Sequence, residues 1–137
     1  MIVADTNLIA ALLLPSELNG EAGRILEADP TWIFPVLWRS EWRAVLLKLM
    51  RARRLELAGA LRLVAWAEAR FGPGERLPDS GEVLRLAASS GCSAYDCEFV
   101  ALALALEAPL VTSDRELLAA FPEVARSPRD HLVRGPD

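Results

Sequence analysis

Apolar and polar residues follow one another along the chain in a pattern that predicts short strands separated by helices. Short apolar runs typical of buried strands occupy residues 2–4, 32–34 and 109–112, with 124–125 as a further short strand. Between these runs, apolar residues recur every three or four positions, which indicates helices with one buried face. The predicted helices cover residues 7–14, 16–28, 40–54, 56–71, 79–90, 93–106 and 114–121.

The ends of several predicted helices carry residues that stop or cap a helix. Pro15 ends the first helix, and Gly72-Pro73-Gly74 ends the helix that begins at residue 56. The alternation of Ala and Leu over residues 100–106 is also compatible with a strand. Because both residue types favour helix, a helix is predicted there.

The order of the elements predicts an α/β fold. Strands that alternate with helices pair in parallel, since a helical crossover brings the chain back to the same end of the sheet. The helices outnumber the strands, so we expect the parallel sheet to be small. No repeat or linker divides the sequence, and a single domain over residues 1–137 is expected.

The composition excludes several classes of protein. The longest apolar runs, 8–15 and 99–106, are far shorter than the roughly 20 residues that span a membrane, and no signal segment opens the sequence. Cys92 and Cys97 are too few for a disulfide framework and are expected to be small buried residues in a reducing compartment. We therefore expect a cytoplasmic protein with no membrane partner.

The net charge narrows the ways in which the chain would bind nucleic acid. It is −4, from 15 basic and 19 acidic residues, whereas proteins that bind nucleic acid through overall charge are usually basic. This balance does not exclude a nuclease that brings its own divalent cations to the phosphates.

Four acidic residues from distant segments are predicted to meet at one edge of the sheet. Asp5 ends the first strand, and Glu41 lies in the first turn of the helix that follows the second strand. Asp114 follows residues 109–112, and Asp96 opens the helix that runs back to that strand. In such folds, the carboxyl ends of strands and the amino ends of neighbouring helices share the edge at which ligands bind.

Single acids at these positions also have a structural explanation. Asp96 and Asp114 stand in capping-box patterns, and the helix dipole favours an acid at a helix amino terminus. Asp5 is harder to explain in this way, because a carboxylate directly after a buried strand needs a partner or water.

Convergence of the four acids favours a cation site over capping alone. Two carboxylates about 4 Å apart repel by about 4 kcal/mol at an effective dielectric near 20. Such a cluster is unfavourable unless some acids stay protonated or a cation lies among them. Carboxylate oxygens without Cys or His ligands suit Mg²⁺ or Mn²⁺, and such a site at a sheet edge is typical of phosphoryl chemistry.

The segments around these acids resemble the PIN domain, and most of all the VapC ribonuclease toxins of prokaryotic toxin–antitoxin pairs. The likeness covers nearly the whole chain, in order and at the usual spacing. It rests on the segments VADTN from residue 3, WRSE from residue 38, SAYDCEFVALA from residue 93 and LVTSD from residue 110.

The resemblance implies a PIN-like three-layer fold with a small parallel sheet flanked by helices. It also implies an endoribonuclease in which a metal-activated water attacks an RNA phosphodiester in line, with one or two ions. Its cofactor would be Mg²⁺ or Mn²⁺. Asn7, Thr112 and Ser113 match positions at which small polar residues support the site. The catalytic and metal-binding residues would be Asp5, Glu41, Asp96 and Asp114.

The resemblance also implies partners. VapC-like proteins generally form homodimers and are silenced by a small antitoxin whose C-terminal segment fills a groove beside the acids. The apolar helical segments 7–14 and 17–26 are candidates for that groove. A housekeeping PIN nuclease, a non-catalytic RNA- or protein-binding PIN module and a Mg²⁺-dependent phosphatase of small substrates are the alternatives.

Four further charged residues lie two positions from one of the predicted acids. Arg39 and Arg43 flank Glu41 and are candidates to contact a phosphate or pair with the acids. Glu98 and Glu116 are turned away from the neighbouring acids by helical geometry and are expected only to support them.

Other conspicuous residues are expected to be structural. The basic cluster 50–54 closes a helix, and the four tryptophans are predicted to be core or dimer contacts. His131 is predicted to lie at the surface.

Overall fold

A computed structural model of the protein describes residues 1–135. The predicted domain extends to Asp137, and Pro136 and Asp137 lie outside the described residues. The strands are β1 (Ile2–Ala4), β2 (Trp32–Pro35), β3 (Glu75–Arg76), β4 (Leu110–Val111) and β5 (Ala125–Arg126). The helices are α1 (Thr6–Leu13), α2 (Asn19–Ala28), α3 (Trp38–Arg51), α4 (Leu57–Phe71), α5 (Ser80–Ser90), α6 (Ala94–Leu106), α7 (Arg115–Ala120) and α8 (Pro128–Arg134).

The sheet has five parallel strands in the order β3-β2-β1-β4-β5. β1 lies at its centre, where Ile2 is opposite Trp32 of β2 and Val3 is opposite Leu110 of β4. β2 and β3 lie on one side of β1, and β4 and β5 lie on the other side. The strand order therefore reverses between β1 and β4. The predicted α/β fold with a small parallel sheet flanked by helices is confirmed.

The helices pack on the sheet and on one another. Helix α6 contacts β1, β2 and β4, and α5 packs against α6. Most of α6 is buried, which explains why its sequence lacks a one-sided apolar pattern and resembles a strand in part. Helix α1 contacts α2 and α3, while α4 contacts α3 and β2.

An aromatic cluster fixes β2 against the helices that follow it. The rings of Trp32 and Phe71 stack with centroids 5.1 Å apart. Phe34 and Trp38 contact Phe71 at centroid distances of 5.3 and 6.4 Å. Aromatic pairs of this kind contribute about 0.5–1.5 kcal/mol beyond the area they bury. The cluster therefore anchors the start of α3, which carries Glu41.

Three elements differ from the sequence prediction. Helix α2 begins at Asn19 rather than at residue 16, because the Ser16 hydroxyl accepts a hydrogen bond from the Leu18 amide in a turn before the helix. β3 consists of the two polar residues Glu75–Arg76 at the sheet edge and shows no apolar pattern. Helix α8 was not predicted, although Ser127 caps it and Pro128 occupies its first turn.

The prediction that His131 lies at the surface is wrong. His131 is 4% exposed, because α8 packs against α2 and turns this residue inward. The predicted burial of Cys92 and Cys97 is confirmed, and both thiols are free. No helix among residues 1–135 is long and apolar enough to cross a bilayer.

Candidate active site

Asp5 lies where β1 passes into α1, at the carboxyl end of the central strand. Its amide donates a hydrogen bond to the Val111 carbonyl at 3.0 Å, which continues the β1–β4 ladder to the end of the strand. Its Oδ1 accepts a hydrogen bond from the Thr6 amide at 2.7 Å, so Asp5 also caps α1. The carboxylate is 8% exposed and faces the sheet edge at which the strand order reverses.

Thr112 connects two of the predicted acids. Its hydroxyl donates to Asp5 Oδ2 at 2.7 Å and accepts from the Asp114 amide at 3.0 Å. Thr112 is fully buried directly after β4, so the positions of its partners depend on the pairing of β1 with β4. The central part of the site is thus built into the sheet.

Asn7 and Ser113 complete this connection. Asn7 Nδ2 donates to Thr112 Oγ1 at 3.3 Å and to Asp5 Oδ2 at 3.4 Å, while Asn7 Oδ1 accepts from the Ser113 amide at 3.3 Å. The structure therefore brings together Asn7, Thr112 and Ser113, which the sequence placed beside the acids. Ser113 contributes its backbone to this network.

Glu41 is held to the same edge by a residue that the sequence analysis did not single out. The Thr6 hydroxyl donates to Glu41 Oε1 at 2.9 Å, which joins α1 to α3. Thr6 is buried and directly follows Asp5. The sequence shows that a hydroxyl residue stands next to an acid at the end of a strand. It does not show that Glu41, 35 positions away, is the partner, because that contact depends on the packing of α1 on α3.

Asp114 and Asp96 lie at the amino ends of two helices. Asp114 Oδ1 accepts from the amides of Glu116 and Leu117 at 2.8 and 3.1 Å, so it caps α7 and leaves Oδ2 without a hydrogen bond among the described residues. Asp96 is in the first turn of α6, where the cap is Ser93, whose hydroxyl accepts from the Asp96 amide at 3.0 Å. Helix capping thus accounts for one carboxylate oxygen of Asp114. It does not account for the Asp96 carboxylate, because Ser93 is the cap of α6.

The acids share one electrostatic environment. Burial raises the pKa of Asp5 from 3.8 to about 6, against the hydrogen bonds from Thr112 and Thr6, with repulsion from Asp96 and Asp114 added. Burial also raises the pKa of Glu41 from 4.5 to about 7.

The pKa of Asp96 is raised for the same reasons, first by burial and then by the charge of Asp114. Asp5 and Asp96 also repel Glu41 and add to its shift. The four predicted acids therefore act on one another's charge, as expected for residues gathered at one edge.

The donor set suits a hard divalent cation. Every predicted ligand is a carboxylate, and oxygen donors are the ligands that Mg²⁺ and Mn²⁺ prefer. Among residues 1–135, no three His, Cys, Asp or Glu side chains are drawn together tightly enough to hold a metal as they stand. A cation would therefore have to draw the carboxylates inward, and Asp114 Oδ2 has no hydrogen bond to break on doing so.

Glu98 and Glu116 lie close to the four acids. Glu98 is near enough to Glu41 for its charge to raise the Glu41 pKa, and Glu116 has the same effect on Asp96. Burial raises the pKa of Glu98 itself. Both residues therefore border the site, on the side of Glu41 and of Asp96 respectively.

The two arginines beside Glu41 have different surroundings. Arg39 forms ion pairs with Glu75 and with Glu68, the latter at 3.2 Å, rather than with any of the four acids. Arg43 is exposed, and its Nε donates to the Arg39 carbonyl at 3.0 Å. Among the described residues, no Lys or Arg forms an ion pair with Asp5, Glu41, Asp96 or Asp114.

Similar structures share this fold over nearly all of the chain. PAE2754 from Pyrobaculum aerophilum is 25% identical, with a TM-score of 0.77 over 97% of this chain and 87% of its own. FitAcB from Neisseria gonorrhoeae is 19% identical, with a TM-score of 0.71 over 96% of this chain and 100% of its own. A toxin-antitoxin complex from Klebsiella pneumoniae is 18% identical, with a TM-score of 0.67 over 93% of this chain and 98% of its own.

The family follows from the sequence itself. No curated protein matches the chain. The family model of the PIN domain matches residues 2–126, which include all five strands and all four predicted acids. The chain therefore belongs to the PIN domain family.

Proposed function

We propose that the protein is a Mg²⁺- or Mn²⁺-dependent endoribonuclease that acts in the cytoplasm. PIN domains are generally nucleases, which supports hydrolysis of a phosphodiester bond. The resemblance to VapC toxins supports RNA as the substrate. The proposed catalytic and metal-binding residues are Asp5, Glu41, Asp96 and Asp114.

This proposal rests on the negative charge at the point where the strand order reverses, which no basic side chain balances. Three of the four acids have raised pKa values, and no basic side chain among residues 1–135 forms an ion pair with any of the four. Burying like charges together destabilises a fold, and helix capping does not require it. A divalent cation offsets this cost, so the arrangement is explained by a site that binds one.

In the proposed chemistry, the four acids bind the ion, and neighbouring residues hold the acids in position. A bound divalent cation makes a water more acidic and offsets the charge of phosphate oxygens. Thr112 and Asn7 orient Asp5, while Thr6 orients Glu41. Carboxylates that are held in place beforehand reorganise little when the substrate binds.

Arg43 is the proposed contact for the RNA backbone. It lies two residues after Glu41, is exposed, and makes no ion pair within the described part of the chain. A free guanidinium can bind a phosphate through two parallel hydrogen bonds. The guanidinium of Arg39 is already paired with Glu68 and Glu75, so we assign it a smaller part in substrate binding.

We further propose that the protein is the toxin of a toxin–antitoxin pair. The similar structure from Klebsiella pneumoniae is a toxin-antitoxin complex, which supports a small antitoxin as partner. Segments 7–14 and 17–26, the expected groove, bury Leu8, Ile9, Ala22 and Ile25 in the core, and neither carries an exposed large apolar side chain. We therefore place the antitoxin in the groove between α3 and α4, which is lined by Leu46, Leu47, Met50, Leu57, Leu61 and Val64.

The charge around that groove indicates the kind of segment that fits it. Arg43 lines the groove, and Arg51, Arg53 and Arg54 are exposed at the turn between the two helices. An amphipathic helix with acidic residues beside its apolar face would match both features. Pairing of two copies of the chain is also proposed, and light scattering of the purified protein tests it.

Cleavage of labelled mixed-sequence RNA tests the proposed activity. The purified chain is assayed with Mg²⁺, with Mn²⁺ and with a chelator, beside Asp5→Asn and a Glu123→Gln control. Glu123 is exposed and precedes β5, so it lies at the opposite end of the parallel sheet from the acids. We expect cleavage that needs the metal, disappears in Asp5→Asn and persists in the control. Metal-dependent hydrolysis of a phosphomonoester without RNA cleavage would indicate a phosphatase. Inactivity on both would favour a binding module or a nuclease restricted to one structured RNA.

A further inference from the structure

A cleft opens beside the acidic edge, and the chemistry proposed above does not use it. Its volume is about 440 Å³, within the range of ligand sites. Leu77 and Pro78 follow β3, Val83 and Leu84 belong to α5, and Glu98 comes from α6. Because the end of β3 is next to the end of β2, the cleft lies on the Glu41 side of the site.

Four of the six residues that line the cleft are apolar, and two of these face solvent. Leu77 is 86% exposed and Leu84 is 66% exposed, although both are large apolar side chains. Two such side chains facing one cleft provide a surface for a flat ring rather than for a phosphate.

Ser80 and Glu98 are the polar residues that line the cleft, and Glu98 is the charged one. The Glu98 side chain is half-buried and makes no hydrogen bond or ion pair with any other residue in 1–135. Its carboxylate is near enough to Glu41 to act on the charge of that residue. The Glu98 oxygens are therefore open to a ligand that brings N–H groups, and no hydrogen bond to a described residue has to break first.

We infer that Glu98 determines base specificity, by accepting hydrogen bonds from a guanine that occupies this cleft beside the scissile phosphate. The inference rests on the proposed ribonuclease function. An ionised carboxylate offers only acceptors. Guanine places two adjacent donors, N1–H and the N2 amino group, on its Watson–Crick edge, whereas adenine, cytosine and uracil place a donor next to an acceptor.

The position of the cleft fits a single-stranded substrate. Proteins that read unpaired RNA turn a base out, pack its face against side chains and bind its edge through hydrogen bonds. Leu77 and Leu84 would pack against the face of the base, and Glu98 would bind its edge. The phosphate next to that base would then lie toward Glu41 and the other acids.

Two measurements on the same variants test this inference. In the first, random-sequence RNA is cleaved with Mn²⁺ and the cut ends are sequenced for wild type, Glu98→Gln, Leu77→Ala and the Glu123→Gln control. We expect wild type and the control to favour guanine at one fixed position beside the cut. Glu98→Gln should reduce the ratio of cleavage beside guanine to cleavage beside the other bases about tenfold, or by about 1.4 kcal/mol. Leu77→Ala should weaken it less.

The second measurement does not depend on cleavage. Fluorescence anisotropy compares binding of labelled tetranucleotides with and without a single guanosine, in chelator. A guanosine preference that is lost in Glu98→Gln would support the inference even if no RNA is cut and the proposed function fails.

Three results would overturn the inference. One is the absence of a guanine preference in wild type in both measurements. Another is an unchanged preference in Glu98→Gln. The third is a uniform loss of cleavage in Glu98→Gln on RNA with and without guanine, which would show that Glu98 acts on the acids and not on a base.

Discussion

The Thr112 hydroxyl donates a hydrogen bond to Asp5 Oδ2 at 2.7 Å across the ends of two neighbouring strands. The two residues are 107 positions apart, and the pairing of β1 with β4 is what brings them together. Through its second hydrogen bond, from the Asp114 amide, Thr112 sets the spacing between two acids on opposite sides of the point where the strand order reverses. The position of a proposed metal ligand therefore depends on a fully buried threonine.

Replacing Thr112 tests this dependence. We expect Thr112→Val to weaken Mn²⁺ binding by about 10–100-fold, as for other residues that orient metal ligands. Thr112→Ser keeps the hydroxyl and should bind Mn²⁺ nearly as well as wild type. Calorimetric titration of both variants measures the effect, and equal affinities for the Val and Ser variants would contradict it.

The raised pKa values predict how the acids affect stability. Both Asp5 and Glu41 have a folded-state pKa above the ordinary value, so the folded protein binds more protons than the unfolded chain. The stability contributed by their protonated forms is fully present below about pH 4 and is lost as the pH rises through about 6 and 7.

Glu41→Gln isolates this effect, because glutamine stays neutral at every pH. Relative to wild type, the variant should gain stability between pH 5 and pH 8, as measured by urea unfolding at both values. A difference between variant and wild type that does not change with pH would show that the Glu41 pKa is not raised.

Binding of a divalent cation should offset the loss of stability that follows when the acids ionise. Because it competes with protons for the carboxylates, Mn²⁺ should raise the melting temperature more at pH 8 than at pH 5. The increase at pH 8 should shrink in Asp96→Asn and persist in the exposed control Glu123→Gln. An equal increase in all three proteins would mean that the ion binds elsewhere.

Asp114→Asn separates the capping role of Asp114 from its proposed role in catalysis. Asparagine caps helices as well as aspartate does, so the variant should keep α7 and lose little stability. The lost charge should nevertheless reduce RNA cleavage at least about 100-fold, or about 2.7 kcal/mol of transition-state stabilisation. If the variant cleaves RNA at the wild-type rate, Asp114 is only a cap.

Gly74 is predicted to be essential for the edge of the sheet. A Cβ atom at this position would lie 2.1 Å from the Trp32 carbonyl oxygen, which is backbone and has little room to move. Gly74→Ala should therefore lower the free energy of unfolding by about 1–3 kcal/mol. Gly23→Ala is the matched control: nothing lies within 4 Å of its Cβ, and it should stabilise α2 by about 0.5–1 kcal/mol. Thermal unfolding of both variants distinguishes the two effects.

Periodicity and strand ends were sufficient to predict the fold and the meeting of the acids at one edge. Asp5 and Asp114 follow buried strands, and parallel pairing then determines which edge they share. What could not be predicted depends on contacts between elements. The bond from Thr6 to Glu41 needs α1 to pack on α3, and β3 forms because Glu75–Arg76 pairs with β2 rather than through any apolar pattern of its own.

The burial of His131 also depends on a contact between two elements, which is why the prediction for this residue was wrong. A lone polar residue near the end of the sequence carries no sign of burial, and only the packing of α8 against α2 places it inside. The pairing of Arg39 with Glu75 likewise depends on β3, so its neighbours in sequence did not reveal its partner.

We propose above that four carboxylates from separate segments form one cation site. Calorimetric titration with Mn²⁺ at pH 8 tests it most directly, on wild type and on Asp5→Asn, Glu41→Gln, Asp96→Asn and Asp114→Asn. We predict saturable binding to wild type that is weakened in each folded variant and unchanged in Glu123→Gln. Absence of binding to wild type, or binding that all four variants retain, would contradict the claim.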